Sequence, residues 1–232
     1  MDAKDCEDNM TTALQLPLAG YHRPAKAEAG LPWLLVLMHG VGSNAEDLFS
    51  LAPYVPAHFH VVSLQAPIAM GPSAFAWFQF SVQPDGSRLI DQEQERRSRA
   101  LIAQTIQMIS TQLDVPAARI LVGGFSQGGI MSLSLLLTQP EILQGIVVWH
   151  SRLLAEAVRD QATNRAFQAK QVWLSHGTQD DVIPLQSAHG IRDHLAALPV
   201  QMVYREYPCA HTIHQEELRE SMAWIEQVSQ AA

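Results

Sequence analysis

Cysteine is nearly absent from the chain: Cys6 and Cys209 are the only two in 232 residues. That is too few for a disulfide framework. Long apolar runs are missing as well, and nothing approaches the roughly 20 residues that span a bilayer. The opening stretch MDAKDCEDNMTT is acidic and has no apolar signal core. Stable membrane insertion and secretion by that route are therefore not expected, and the cytoplasm is the default location. Positive charge is scarce: Lys plus Arg is 15 against 23 Asp plus Glu, a formal charge of −8. This is the wrong sign for a phosphate backbone or an anionic membrane, so nucleic acid is not an expected partner. Charged residues make up 16% and hydrophobic residues 47%, which is globular usage rather than disorder. No linker, charge block or repeat marks a boundary. The expectation is a flexible N-terminal segment over 1–14 and a single domain over 15–232. Nothing in the residues sets the oligomeric state, and a homodimer is allowed.

What is present is an alternation. Short apolar runs, rich in β-branched residues, occupy Leu34–Met38, His60–Leu64, Arg119–Val122, Gly145–Trp149, Val172–Ser175 and Val200–Tyr204, as strands buried on both faces do. Helical patterns separate several of them. Asp91 and Gln94 resemble a capping box, and Ile102, Ile106, Ile109 and Leu113 follow at helical spacing, predicting a helix of about six turns. Further helices are predicted from Gln127 to Pro140, Ser187 to Leu198 and Gln215 to Gln230. Continuous rather than alternating apolar strands imply an α/β fold, with a mainly parallel sheet covered by helices on both faces. Ligands of such sheets bind beyond the carboxyl ends of the strands.

The loop after Val122 reads Gly124-Phe125-Ser126-Gln127-Gly128, a G-x-S-x-G between a strand and a helix. A serine hydroxyl needs a base to become nucleophilic, so it must be held clear of the sheet beside an imidazole. The sharp turn that does this leaves no room for a Cβ two residues before and two after the serine, which accounts for Gly124 and Gly128. The plain alternative is a glycine-rich turn with an incidental serine, and the flanking strand and helix argue against it. The glycines do not form a dinucleotide or P-loop pattern.

If Ser126 is a nucleophile, an acid and then a histidine should follow in loops after later strands. The strand QVWLS leads into His176-Gly-Thr-Gln-Asp180-Asp181, and VQMVYREY leads into Pro208-Cys-Ala-His211. Either aspartate is also a natural turn residue. Among the histidines, His211 is favoured over His214 and His189 because it lies nearest a strand end. A zinc pair from His211 and His214 lacks a third ligand, so no metal is expected. The loop His39-Gly-Val-Gly-Ser-Asn44 offers backbone N–H groups near a substrate oxygen; His39 itself reads as a structural hydrogen-bonding residue. Arg96, Arg97 and Arg99 read as a solvated helix face.

Together these residues resemble the phospholipase/carboxylesterase family of α/β-hydrolases, the group of acyl-protein thioesterases and small bacterial carboxylesterases. The resemblance runs from about Leu34 to Ile225. It is carried by His39-Gly-Val-Gly42, Gln65-Ala-Pro67 with Trp77-Phe78, Gly124-Phe-Ser-Gln-Gly-Gly129, His176-Gly-Thr-Gln-Asp180 with Val182-Ile-Pro184, and His211. It implies Ser126, Asp180 and His211 as a triad, with Asp180 preferred to Asp181. It also implies the Val41 and Gln127 amides as an oxyanion hole, no cofactor, and a small ester or thioester of short to medium acyl chain as substrate. Trp77 and Phe78 are expected at the acyl group. Lysophospholipase or acyl-protein thioesterase activity, and a non-catalytic binding protein on the same scaffold, are the alternatives. Trp149-His150-Ser151-Arg152 departs from the family's usual Ser-Gly pair, and a bulky His and Arg there are expected to narrow or polarise the pocket mouth. Cys209 is a further departure.

Overall fold

The computed structural model describes residues 14–84 and 88–231, so nearly all of the N-terminal segment expected to be flexible, Cys6 included, lies outside the described residues. The strands are β1 (Gly20–Arg23), β2 (Trp33–Met38), β3 (Phe59–Leu64), β4 (Ile68–Gly71), β5 (Ala74–Ala76), β6 (Phe80–Val82), β7 (Arg88–Ile90), β8 (Ile120–Phe125), β9 (Gly145–Trp149), β10 (Gln171–Gly177) and β11 (Gln201–Tyr207). The helices are α1 (Ala45–Phe49), α2 (Gln92–Leu113), α3 (Gln127–Thr138), α4 (Ala155–Arg159), α5 (Leu185–Ala196) and α6 (Gln215–Gln230). A seven-stranded sheet runs in the order β1-β3-β2-β8-β9-β10-β11. Only β1 is antiparallel to its neighbour. The mainly parallel sheet expected from the apolar runs is what forms.

Alternation along each strand sends side chains to opposite faces. On β2, Leu34, Val36 and Met38 enter one core with Ile102, Ile106 and Ile109 of α2, the apolar side chains of α3, and Ile191 and Leu195 of α5. Trp33, Leu35 and Leu37 enter the other, with Leu48 of α1 and Met222, Trp224, Ile225 and Val228 of α6. Helix α2 starts where Asp91 accepts from the Gln94 N–H, as the capping pattern predicted. Its face is not fully solvated, however. Arg99 is buried against Glu95 in an ion pair at 3.1 Å, which corrects the reading of Arg99 as a solvated residue. The i, i+4 spacing sets both inward beside α3, where only a paired charge is tolerated.

Register brings the functional loops to one rim. Met38 pairs with Gly124, Phe125 with Trp149, Trp149 with Ser175 and Gly177 with Tyr207. The chain therefore leaves β2, β8, β9, β10 and β11 at nearly the same height. Strand order also reverses here, since β3 lies on one side of β2 and β8 on the other. That makes the rim a topological switch point.

Candidate active site

Ser126 stands between β8 and α3 with φ 54° and ψ −114°, a conformation costly for a residue with a side chain. The glycines around it make the turn possible. A Cβ at Gly124 would lie 2.2 Å from the Gly128 carbonyl carbon, and one at Gly128 would lie 1.9 Å from the Met38 oxygen. With no side chain there, α3 packs directly on the ends of β8 and β2.

The Ser126 Oγ lies 2.9 Å from His211 Nε2. His211 Nδ1 lies 2.6 Å from Asp180 Oδ2. The other Asp180 oxygen accepts from the Val182 and Ile183 N–H groups at 2.9 and 2.8 Å. Burial by itself would push the Asp180 carboxyl up, but the hydrogen bonds and charge of His211, the Ile183 amide and the His150 hydrogen bond together hold it below the usual carboxylate range. Asp181, its neighbour, is exposed. The three residues expected to meet do meet, at a rim where Ser126 is 7% and Asp180 8% exposed.

The amides of Val41 and Gln127 donate to no other group among the described residues. The Gln127 N–H is at the first turn of α3, where helix geometry leaves it unpaired. The Gln127 side chain turns the other way, where its Oε1 accepts from the Trp77 N–H at 2.8 Å and its Nε2 donates to the Phe78 carbonyl at 2.7 Å. Trp77 and Phe78 are 0% and 1% exposed, and the Trp77 Nε1 donates to the His39 carbonyl. In this structure they brace the loop from below rather than lining an open surface. His39 is the structural residue expected of it: Nδ1 donates to the Gly40 carbonyl and Nε2 accepts from the Ala66 N–H, and burial keeps its pKa low.

Behind the acid lies a second layer. His150, with φ 50°, is fully buried and does not narrow the pocket mouth as its size suggested. Its Nδ1 lies 3.1 Å from Asp180 Oδ2 and its Nε2 3.1 Å from Glu217 Oε2. The Gly177 N–H is also 3.3 Å from Nδ1. Between these competing partners the carboxylate prevails, because an unprotonated Nδ1 would set its lone pair against a carboxylate oxygen. Burial lowers the imidazolium's stability, yet the hydrogen bonds and charges of Glu217 and Asp180 outweigh it and raise the His150 pKa. His176 stacks on His150 at 5.2 Å and stays neutral: burial lowers its pKa, and Nε2 donates to the Ile183 carbonyl. Glu217 also accepts from the His214 N–H at 2.9 Å, closing a capping box at the start of α6. His214 is thus a helix cap rather than a second base. A charged pair between a strand-end histidine and a helix-capping glutamate 67 residues apart leaves no motif, and only the departure from Ser-Gly at residue 150 hints at it.

Among the described residues, two groups bring the ligand atoms of three metal-binding side chains within 4.8 Å of one another, His150 with Asp180 and His211, and His150 with Cys209 and Glu217. His150 belongs to both, and its two nitrogens are already turned to carboxylates. Burial raises the Cys209 thiol to about 11, so it is protonated at neutral pH. No helix among the described residues is long and apolar enough to cross a membrane.

Comparison with known proteins bears on the family and the fold. The sequence profile described as Phospholipase/Carboxylesterase matches residues 25–229. Acyl-protein thioesterase 1 of Mycosarcoma maydis is 27% identical over 84% of this chain and 90% of its own length. Acyl-protein thioesterase 1 of Kluyveromyces lactis is 30% identical over 74% of this chain and 79% of its own. Among solved structures, esterase PE8 superposes with a TM-score of 0.77 at 24% identity, covering 91% of this chain and 99% of that one. The Bacillus cereus carboxylesterase gives 0.77 at 18%, covering 91% and 95%.

Proposed function

We propose, for a chain that belongs to the phospholipase/carboxylesterase family of α/β-hydrolases and is a carboxylesterase/thioesterase-type hydrolase, that Ser126, His211 and Asp180 cleave small esters or thioesters of short to medium acyl chain through an acyl-enzyme. The observation carrying this reading is the 2.9 Å contact between Ser126 Oγ and His211 Nε2, at a strained turn whose strain has no structural use unless the hydroxyl must be presented. His211 takes the serine proton as Oγ attacks the carbonyl. The tetrahedral oxyanion is met by the Val41 and Gln127 N–H groups, which point at no other acceptor. His211 then protonates the leaving alcohol or thiol, and water repeats the cycle to release the acid. Asp180 orients the imidazole through Nδ1 and stabilises its charged form.

Exposed large apolar side chains on the segments around the rim are scattered singly: Val41 and Val182 beside the triad loops, Val82 and Leu89 on β6 and β7, and Met70 on the β4–β5 hairpin. That hairpin is tied to the oxyanion loop by the Gly42 N–H to Phe75 carbonyl bond. Apolar surface so scattered favours a short or medium acyl group over a long one. The test is a series of 4-nitrophenyl esters from acetate to palmitate beside an acyl thioester, run on the wild type and Ser126→Ala. The reading expects turnover falling beyond medium chain length and lost in the variant. Turnover of wild-type size in Ser126→Ala contradicts it.

A further inference from the structure

Arg152 follows Ser151, whose Oγ donates to the Ser126 carbonyl at 2.9 Å. Arg152 is half-buried, and its Nε is buried without a partner among the described residues. Burial, and after it the charge of Arg88, lower its pKa, while Glu156 opposes weakly. No carboxylate among the described residues comes within ion-pair distance of Arg152 or of Arg88. A half-buried cation beside a second cation, answered among the described residues only by the more distant Glu156, is costly unless something else occupies the space.

That space exists. Arg88 reaches over from the β6–β7 hairpin, donating to the Val182 carbonyl at 3.0 Å with its guanidinium 5.2 Å from the Phe80 ring centre. Together with Arg152 it lines a cavity of about 410 Å³. The wall between them is the loop of the catalytic acid itself, since Val182 and Ile183 both donate to Asp180. The floor is the amino end of α5, where Pro184 and Ser187 line the cavity. That 12-residue helix has no capping side chain and no acid in its first turn, so its positive end is not neutralised locally. Asp181 is the one carboxylate among the described lining residues, which leaves the two arginines in excess.

We propose that Arg152, Arg88 and the amino end of α5 form an anion-binding subsite beside the triad, and that the preferred substrate is an ester or thioester carrying a carboxylate or phosphate group. This rests on the hydrolase reading and adds its substrate class. Guanidinium forks match the paired oxygens of either anion; the cavity shares Asp181, Val182 and Ile183 with the loop of Asp180, and Arg152 follows the Ser151 that bonds the Ser126 carbonyl, so the anion of a small substrate would be held on the triad's side of the sheet rim.

The test uses ester pairs that differ in the anion: mono-4-nitrophenyl glutarate against 4-nitrophenyl valerate for an acyl-side charge, and 4-acetoxybenzoate against phenyl acetate for a leaving-group charge. Each rate is divided by that of hydroxide-catalysed hydrolysis. At low ionic strength, at least one anionic ester is expected to exceed its neutral partner about tenfold in kcat/KM, mostly through KM. That ratio should fall toward one in Arg152→Gln, in Arg88→Gln, and in roughly 1 M salt. Arg88 lies on a hairpin outside the main sheet, so its variant carries the test if Arg152→Gln is insoluble. Neutral esters turned over as well as both anionic ones, or a ratio unchanged in the soluble variants, overturns the subsite alone. Inhibition by inorganic phosphate with no preference between the esters assigns the cavity to a free anion and overturns it too. Absence of turnover on valerate and phenyl acetate as well as on both anionic esters removes the hydrolase reading instead.

Discussion

The buried contact between His150 and Glu217 offers a prediction in which the sign of the pH dependence can be worked out. Glu217→Gln keeps the shape and removes the charge. The Gln oxygen can still accept from the His214 N–H and from His150 Nε2. Its amide group then occupies the place of Glu217 Oε1, which has no partner among the described residues, so new donors are buried unpaired. Breaking a fully buried ion pair typically costs about 3–5 kcal/mol. Here His150 can shed its proton and keep a neutral hydrogen bond, so about 2–3 kcal/mol is the expected loss. For a domain of this size that lowers Tm by about 5–10 °C. The His150 pKa is raised in the folded state. Its contribution is therefore complete below the unfolded value of about 6.5 and is lost as pH rises through the folded value. Thermal melts of wild type and variant from about pH 5.5 to 9.5 should show the widest gap at the acidic end, closing toward alkaline pH. A gap that stays constant, or widens with pH, refutes the assignment of His150 as an imidazolium held by two carboxylates.

Other outcomes follow from the same geometry. Asp180→Asn should leave the fold intact and reduce kcat by about 10³–10⁴-fold, because the amide favours the wrong imidazole tautomer; steady-state kinetics on a 4-nitrophenyl ester check it, and a loss under tenfold contradicts it. Gly128→Ala should yield little soluble protein, since its Cβ would sit 1.9 Å from the Met38 oxygen; a soluble variant with wild-type Tm contradicts the close strand-helix approach. Gln127→Ala should release the Trp77–Phe78 segment by removing two buried hydrogen bonds. A loss of about 1–3 kcal/mol in denaturant unfolding is expected, with the backbone donor at residue 127 still in place.

Local signals carried much of this. Five of the six principal strands are short apolar runs because both sheet faces are covered, whereas β11, at the sheet edge, is half-exposed; each forms within a few residues of its expected place. Helix α2 announces itself by its capping residues and spacing, and α6 by its apolar spacing. Ser126 was legible because its turn demands glycine at fixed offsets, and His211 because it lies in the loop just after a strand. What stayed hidden depends on long-range partners. Strand β1, four residues long and half exposed, lacks an apolar run and exists through its antiparallel pairing with β3. Strands β4 to β7 are only three or four residues long and pair in twos outside the main sheet. Glu95 and Arg99 look like surface charges in sequence, and only the packing of α2 against α3 buries them. The partnership of His150 with Glu217 joins β9 to α6, and the pairing of Arg88 with Arg152 joins a hairpin to a sheet loop.

Covalent labelling addresses the nucleophile most directly. Treated with a fluorophosphonate probe and digested, the wild-type chain should carry the added mass on the peptide containing Ser126. Labelling should disappear in Ser126→Ala and slow by orders of magnitude in His211→Ala. An unlabelled Ser126 peptide in folded protein, or a label that persists on another residue in Ser126→Ala, contradicts the claim that this serine is made reactive by His211.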